Sequence, residues 1–422
     1  MKIVILVRNY LPKPNAVGIC ANKIIHALQT SDDGNQIIVV CEKNNIDQLD
    51  YEVIDGVEVY RFLTSETQSR LLLNKYSSQT FLLRIYIAVK EYILRAKYYI
   101  KDLFYNVTEK PELTSMFFQA LNELPLGKND CIIPFSAPFE SVIAASNYIE
   151  KNRSVLLIPV LYDLFSDNPF IHKNCLSKIL KYKKNRRLEQ KMFELSTHIL
   201  CPNYWLTSLS YYKQPEKITI VDVPFLEKTT IGDSKSTEIV YCGNFQHKIR
   251  KTDYLARFIS RFLISTKTSV TFRFIGNGNS DRRLRRLRNA FPDRVFLDGF
   301  VPHDTAIEIM KSSLGLIVVA NERNNQTPSK VFECMSMLKP ILYFTKNKGT
   351  DLVEGYLSKY PISIIIKRCN KISANCNNLD AFLEQMPNST SFEDIEERFQ
   401  RATPNYSADV ILNCKNRSVD RL

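Results

Sequence analysis

Two successive α/β domains, each built on a parallel sheet, are the fold class this sequence predicts. Short apolar runs of strand length alternate with stretches of helical spacing along most of the chain, which is the pattern of βαβ units. The alternation breaks at about 224–236 and restarts at Thr237. The length of 422 residues also exceeds what one hydrophobic core organises, since chains tend to split beyond about 250–300 residues.

In the first half, Lys2-Ile3-Val4-Ile5-Leu6-Val7 is an apolar run expected to form a buried strand, not a signal peptide, because no small-residue cleavage site follows. A loop with Pro12 and Pro14 covers 9–17, and 18–30 has helical spacing. Strands are expected at 36–41 and 57–62, the second after the turn Asp55-Gly56. A mostly helical insertion, basic and rich in aromatic residues, occupies about 65–125. Strand 130–134, helix 139–148 and strand 154–160, which ends at Tyr162-Asp163, come next. A basic helical stretch leads to strands at 197–201 and 218–223.

The second series alternates strands at 238–242, 270–275, 295–297, 313–320, 339–344 and 362–366 with helices at 252–263, 283–291, 303–310 and from 327. Only 12 glycines occur in the chain, and Gly243, Gly276, Gly278 and Gly299 each stand at the carboxyl end of a predicted strand. Ligands of parallel sheets sit beyond those ends. A residue without Cβ lets backbone turn sharply or approach a ligand closely, so these glycines suggest a shared binding edge. Gly276-Asn277-Gly278 lacks the third glycine of a dinucleotide fingerprint.

Thr327-Pro328-Ser329-Lys330-Val331-Phe332-Glu333 reads as a helix start suited to a diphosphate. Thr327 suits an N-cap and Pro328 the first helical position. Free N–H groups at such an end attract anions, Lys330 adds a full charge, and Glu333 lies one turn on, on the same face. Cation, backbone donors and carboxylate match the pyrophosphate and ribose hydroxyls of a sugar nucleotide. The segment follows one strand and precedes another, so it occupies the ligand position of a βαβ unit.

Composition narrows the classes. Apolar residues make up 45%, a globular proportion, and no apolar run approaches the roughly 20 residues that cross a bilayer. The ten cysteines show no metal-type spacing. Cys41, Cys131, Cys201 and Cys242 fall in strand-like runs, where cysteine acts as a small hydrophobe. The chain is therefore expected to be cytoplasmic, with neither zinc nor a disulfide framework. The net charge of +13 is concentrated in three places: 173–191, 71–105 and Arg282 to Arg288. The third suits a solvated helix face. The first two carry bulky aliphatic and aromatic residues beside the charge, which suits an anionic membrane surface. Nothing matches a nucleic-acid-binding module.

Several segments resemble glycosyltransferases of the GT-B fold, in the family 4-like group of retaining, nucleotide-sugar-dependent enzymes. The opening strand with Tyr10-Leu11-Pro12 and Gly18 resembles the family's first strand and the small-residue loop facing the donor phosphate. Ser136-Ala137-Pro138-Phe139-Glu140-Ser141 resembles its Ser/Pro-rich turn, and Asp163 matches an aspartate near the acceptor. Tyr241-Cys242-Gly243-Asn244 followed by Arg250-Lys251 resembles the strand–glycine turn and the basic residues that pair with the diphosphate. Phe274-Ile275-Gly276-Asn277-Gly278 and the run ending at Gly299 resemble strand ends that border the base. The segment from Thr327 to Glu333 resembles the family's donor motif. That motif commonly has two glutamates eight positions apart. Glu333 fits the second, but Asn325 stands where the first would be, which leaves donor identity open, with an inactive or regulatory homologue as one alternative.

The resemblance implies two Rossmann-like parallel-sheet domains facing a central cleft. Residues 1–226 would bind the acceptor and 227–385 the nucleotide sugar, and a helical segment, 386–422, would return to the first domain. Lys330, Arg250, Lys251 and the helix start at Thr327 and Ser329 would stabilise the leaving diphosphate. Glu333 would grip ribose, Asn325 a sugar hydroxyl, and Asp163 would orient the acceptor. Gly18, Gly243, Gly276 and Gly299 would border the donor. No cofactor or metal is expected, since basic residues replace a cation and no D-x-D triplet occurs. The expected partners are a nucleotide sugar, a hydroxyl acceptor in the form of a lipid-linked saccharide, and the inner face of an anionic membrane, with no nucleic acid. A sugar-nucleotide epimerase on the same architecture is the rival reading. It would need acid/base groups in the cleft, whereas His26 and His198, two of only five histidines, fall in apolar contexts.

Overall fold

The computed structural model describes residues 1–31, 34–76, 81–104, 110–168, 175–209, 214–230, 236–245, 252–277, 281–321, 330–345, 351–385 and 390–419. The chain forms two compact units, Met1–Pro224 with Pro404–Leu422, and Phe225–Thr403.

The first unit runs β1 (Lys2–Leu6), α1 (Ala16–Ser31), β2 (Gln36–Glu42), β3 (Tyr51–Ile54), β4 (Val57–Phe62), α2 (Ser65–Tyr76), α3 (Phe81–Phe104), α4 (Pro111–Glu123), β5 (Cys131–Pro134), α5 (Phe139–Lys151), β6 (Leu156–Leu157), α6 (Cys175–Leu195), β7 (Ile199–Cys201), α7 (Leu206–Leu209) and β8 (Ile218–Ile220). Its sheet has the order β3-β4-β2-β1-β5-β6. β1 and β2 are central, and their continuous Ile/Val/Leu runs are buried on both faces, as parallel strands require. Each such side chain contributes about 1.5–3 kcal/mol on burial.

Three features of this unit differ from the sequence-based expectation. β3 pairs antiparallel with β4 through a two-residue turn in which Asp55 and Gly56 both have positive φ, a geometry that joins hairpin strands. Its Tyr51 and Val53 are exposed, so no apolar run announced it. The strand expected at 154–160 is reduced to β6. Pro159, which has no N–H for the ladder, precedes Val160, which makes isolated bridges to Phe135 and Leu200. β7 and β8 form a separate two-stranded sheet.

The second unit runs β9 (Glu238–Cys242), α8 (Asp253–Ser265), β10 (Thr271–Ile275), α9 (Arg282–Ala290), β11 (Val295–Gly299), α10 (His303–Ser312), β12 (Gly315–Val319), α11 (Lys330–Ser336), β13 (Ile341–Thr345), α12 (Leu352–Leu357), β14 (Ser363–Lys367), α13 (Ile372–Glu384) and α14 (Phe392–Arg398). All six strands are parallel, in the order β11-β10-β9-β12-β13-β14. Alternate side chains feed two cores. Ile239, Tyr241, Leu342 and Phe344 pack with Phe258, Phe262 and Leu284. Val240, Ile341 and Tyr343 pack with Phe332, Met335 and, from α14, Phe392 and Ile395. The last helix, α15 (Pro404–Val419), packs against α1 in the first unit.

The basic clusters separate. On α9 the arginines are exposed while Leu284 and Leu287 are buried, the solvated face expected. On α6 burial interrupts the basic stretch. Lys181, Asn185 and Glu189 are buried, and Arg186 pairs with Glu189 at 2.8 Å. Lys183, Lys184 and Arg187 remain exposed. Lys173 lies outside the described residues.

Candidate active site

Relabelled along the chain, the strands of the second unit run 3-2-1-4-5-6, with the order reversing between β9 and β12. Ligands of doubly wound sheets bind at that switch point, beyond the carboxyl ends of the strands. The two segments leaving it are the turn at Gly243 after β9 and the stretch after β12 that leads into α11.

The turn at Gly243 meets the first residue of α11. A Cβ built on Gly243 would stand 3.5 Å from Cε of Lys330 and 3.4 Å from the Tyr241 hydroxyl. Gly243 has φ +149°, a backbone conformation that side chains disfavour. Lys330 opens α11, and its Nζ lies 3.7 Å from a carboxylate oxygen of Glu333, one turn on, with the lysine side chain 34% exposed. Burial pulls the Lys330 pKa down, but the Glu333 carboxylate beside it, with Cys242, Cys334 and Tyr241, raises it above the ordinary lysine value. Lys330 is therefore a fixed cation at neutral pH, and a third of its side chain faces outward at the switch point.

A backbone ladder carries this edge across the neighbouring strands. The Gly243 N–H donates to the Ile275 carbonyl at 2.9 Å, and the Gly276 N–H to the Gly299 carbonyl at 2.6 Å. Gly276 has φ +118°, and a Cβ there would meet the Gly243 carbonyl oxygen at 2.3 Å. The missing side chain at Gly276 thus admits its neighbour's backbone, which shapes the edge. Asn277 pins the turn from outside: its Oδ1 accepts from the Phe245 N–H at 2.5 Å and its Nδ2 donates to the Phe245 carbonyl at 2.9 Å. Beneath, the Tyr241 and Phe245 rings stack at 4.2 Å. Asn277 and Phe245 were not singled out as site residues from sequence, because their contact spans 32 positions.

α11 is tied to the start of the unit. Ser336 Oγ donates to the Phe225 carbonyl at 2.8 Å and accepts from the Glu227 N–H at 3.0 Å. Cys242, expected to be a buried hydrophobe, is only partly buried, whereas Cys41, Cys131 and Cys201 are buried. It ends β9 within electrostatic range of Lys330.

In the first unit the strand order reverses between β1 and β5. Asp163 lies at that end, its N–H donating to Ser136 Oγ at 3.1 Å, and it is half-buried near Cys20 of α1. Gly18 is buried where a Cβ would stand 2.1 Å from the Asn9 carbonyl oxygen. Its bareness lets the loop after β1 pack on α1, and its N–H donates to Asn15 Oδ1 at 2.8 Å.

The structure thus brings together Lys330, Glu333, Gly243, Gly276 and Gly299 in the second unit, and places Asp163 and Gly18 in the first. Arg250, Lys251, Asn325, Thr327 and Ser329 lie outside the described residues, as does the capped helix start expected at Thr327.

Residues 236–365, which carry this edge, match the family model for group 1 glycosyl transferases. No curated protein sequence gives a match. Solved structures align over nearly the whole chain. The α,α-trehalose 6-phosphate synthase from Burkholderia multivorans is 10% identical, with a TM-score of 0.65, covering 100% of this chain and 99% of that one. The trehalose-6-phosphate structure from E. coli bound with UDP-2-fluoro glucose is 12% identical at a TM-score of 0.59, covering 98% and 99%. WaaG, a glycosyltransferase involved in lipopolysaccharide biosynthesis, is 12% identical at a TM-score of 0.56, covering 97% and 99%. At such identities the likeness shows the fold, which is GT-B. Residues 236–365 form a group 1 glycosyltransferase domain within a chain of the GT-B fold.

Proposed function

We propose that this protein transfers a glycosyl group from a nucleoside-diphosphate sugar to an acceptor hydroxyl, with retention of anomeric configuration. The observation that carries this is the Lys330–Glu333 pair against Gly243 at the switch point of the domain that matches group 1 glycosyltransferases. As the glycosidic bond breaks, negative charge develops on the leaving diphosphate. A fixed cation already in place stabilises that charge without reorganisation. Lys330 supplies it, with Arg250, Lys251 and the N–H groups at Thr327 and Ser329 adding donors. Glu333 accepts from ribose hydroxyls, and Asn325 bonds a hydroxyl of the transferred sugar. Gly243, Gly276 and Gly299 shape the rim on which the nucleotide lies. In the first unit Asp163 orients the acceptor hydroxyl, and Gly18 keeps the loop after β1 close to α1. The departing phosphate takes the acceptor proton on the face where the new bond forms.

The acceptor is a lipid-linked saccharide of bacterial surface polysaccharide synthesis, met at the cytoplasmic face of the membrane. A surface-polysaccharide role is supported by the fold shared with WaaG and by the likeness to the lipopolysaccharide outer core galactosyltransferase WaaB. No helix among the described residues is long and apolar enough to cross a membrane, so contact with lipid is peripheral.

The experiment is incubation with labelled uridine, guanosine and adenosine diphosphate sugars and a bacterial lipid extract, in EDTA. Labelled product should enter the lipid fraction from one donor, at the same rate with or without chelator. Activity lost in EDTA and restored by magnesium or manganese would contradict the phosphate site. Interconversion of the donor sugar without an acceptor would instead establish the epimerase.

A further inference from the structure

α3 is anomalous. It is 24 residues long, about 36 Å, yet none of its described residues is buried. Apolar helix faces normally turn into a core. Here Leu82, Ile85, Tyr86, Val89, Ile93 and Ile100 are each about half to four-fifths exposed. Their spacing of i, i+3, i+4, i+7, i+11 and i+18 places them on one face. The helix packs against α2, and none of its described residues belongs to the core that β1, β2 and β5 share with α4 and α5.

The flank of this face is basic. Lys90 is exposed, with its Nζ 5.9 Å from the centre of the Tyr86 ring. In sequence, Lys97 and Lys101 follow Lys90 at i+7 and i+11. Arg95 and Glu91, on the far side, pair with each other at 3.0 Å. In all, five basic and two acidic residues give the helix a net charge of +3.

From the bare apolar stripe and its lysine flank, we infer that α3 is the membrane-docking element, lying in the plane of an anionic lipid surface with Leu82, Ile85, Val89 and Ile93 among the acyl chains. The inference rests on the proposed lipid-linked acceptor for its purpose, but not for its geometry. Charge selects the occupant. Lysines beside an apolar stripe let stems follow the hydrocarbon boundary while ammonium groups meet lipid phosphates. A second copy of α3 would bring +3 against +3. Seven charges in 24 residues also exclude spanning. Among its described residues α6 exposes two large apolar side chains, Ile179 and Leu180, side by side rather than in a stripe, while Lys181 is buried and Arg186 is paired within the fold.

The test is flotation of the full chain with phosphatidylcholine vesicles, with or without phosphatidylglycerol. The unaltered protein should float with the anionic vesicles at low salt. Replacing Ile85, Val89 and Ile93 together by Asp should lower the partition coefficient by about 100-fold or more, since three apolar insertions are lost. All three are exposed, so melting temperature should not change. Lys90→Glu with Lys97→Glu and Lys101→Glu should remove the preference for anionic lipid. Lys183→Glu, Lys184→Glu and Arg187→Glu on α6 should leave binding near normal. Flotation of the triple Asp variant like the parent would overturn the inference, as would failure of the parent to bind. So would a parent dimer that the Asp changes dissociate, because the face would then belong to a second copy. Transfer to acceptor dispersed in detergent reads the proposed activity separately from docking.

Discussion

Lys330→Ala should remove most glycosyl transfer while the protein stays folded. The side chain is one-third exposed and its ammonium lies 3.7 Å from Glu333, so its loss opens no core cavity. Truncating one partner of a hydrogen-bonded charge pair costs about 2–5 kcal/mol, which is about 30- to 5,000-fold in rate or affinity. The loss should be seen in kcat, because charge on the diphosphate grows as the bond breaks, and in the Kd for the free nucleoside diphosphate. Glu333→Ala should weaken binding of the nucleoside portion more than that of inorganic pyrophosphate. Calorimetric titration of each variant with nucleoside diphosphate separates the two roles. Unchanged affinity in both variants would remove the basis for this site.

Gly276→Ala should damage stability and donor binding together. Its φ of +118° is strained for any side chain, which costs about 1–3 kcal/mol. The new Cβ would also meet the Gly243 carbonyl oxygen at 2.3 Å, so the turn after β9 must move, and that turn lies against Lys330. In a unit of this size each kcal/mol lowers Tm by about 2–4 °C, and the fall should exceed one such step. Gly355→Ala in α12 is the control, since nothing lies within 4 Å of a Cβ there. It should be neutral or slightly stabilising, because Ala favours helix over Gly by about 1 kcal/mol. Thermal melts and nucleotide titrations of the two variants decide the matter. Equal melting temperatures would mean that the Gly243–Gly276 approach does not shape the edge.

The second unit was largely legible because its signals are local. Strands such as 315–319 and 341–345 are continuous apolar runs, and Gly243, Gly276 and Gly299 mark the carboxyl ends of β9, β10 and β11. Lys330 and Glu333 fall on one helix face by spacing alone. What sequence could not supply is what fills the space beside a glycine. Gly18 and Gly276 read as openings for a ligand, yet backbone from Asn9 and Gly243 occupies the position of the missing Cβ. Polar residues in a buried helical stripe were also hidden. Lys181, Asn185 and Glu189 recur every four positions and face inward with Met192 and Phe193, but without apolar periodicity they read as part of a basic surface. β3 escaped because an edge strand exposed on alternate residues is marked only by its turn.

The central claim is that the switch point around Gly243 and Lys330 holds a nucleoside diphosphate. The most direct measurement is thermal unfolding of the wild-type protein against uridine, guanosine, adenosine, cytidine and thymidine diphosphates, repeated on Lys330→Ala. A bound ligand stabilises by RT ln(1 + [L]/Kd), about 2.7 kcal/mol at a hundred times Kd. One diphosphate should therefore raise Tm in proportion to the logarithm of its concentration, and the rise should shrink or vanish in Lys330→Ala. No shift with any diphosphate, or a shift that Lys330→Ala leaves intact, would contradict the account.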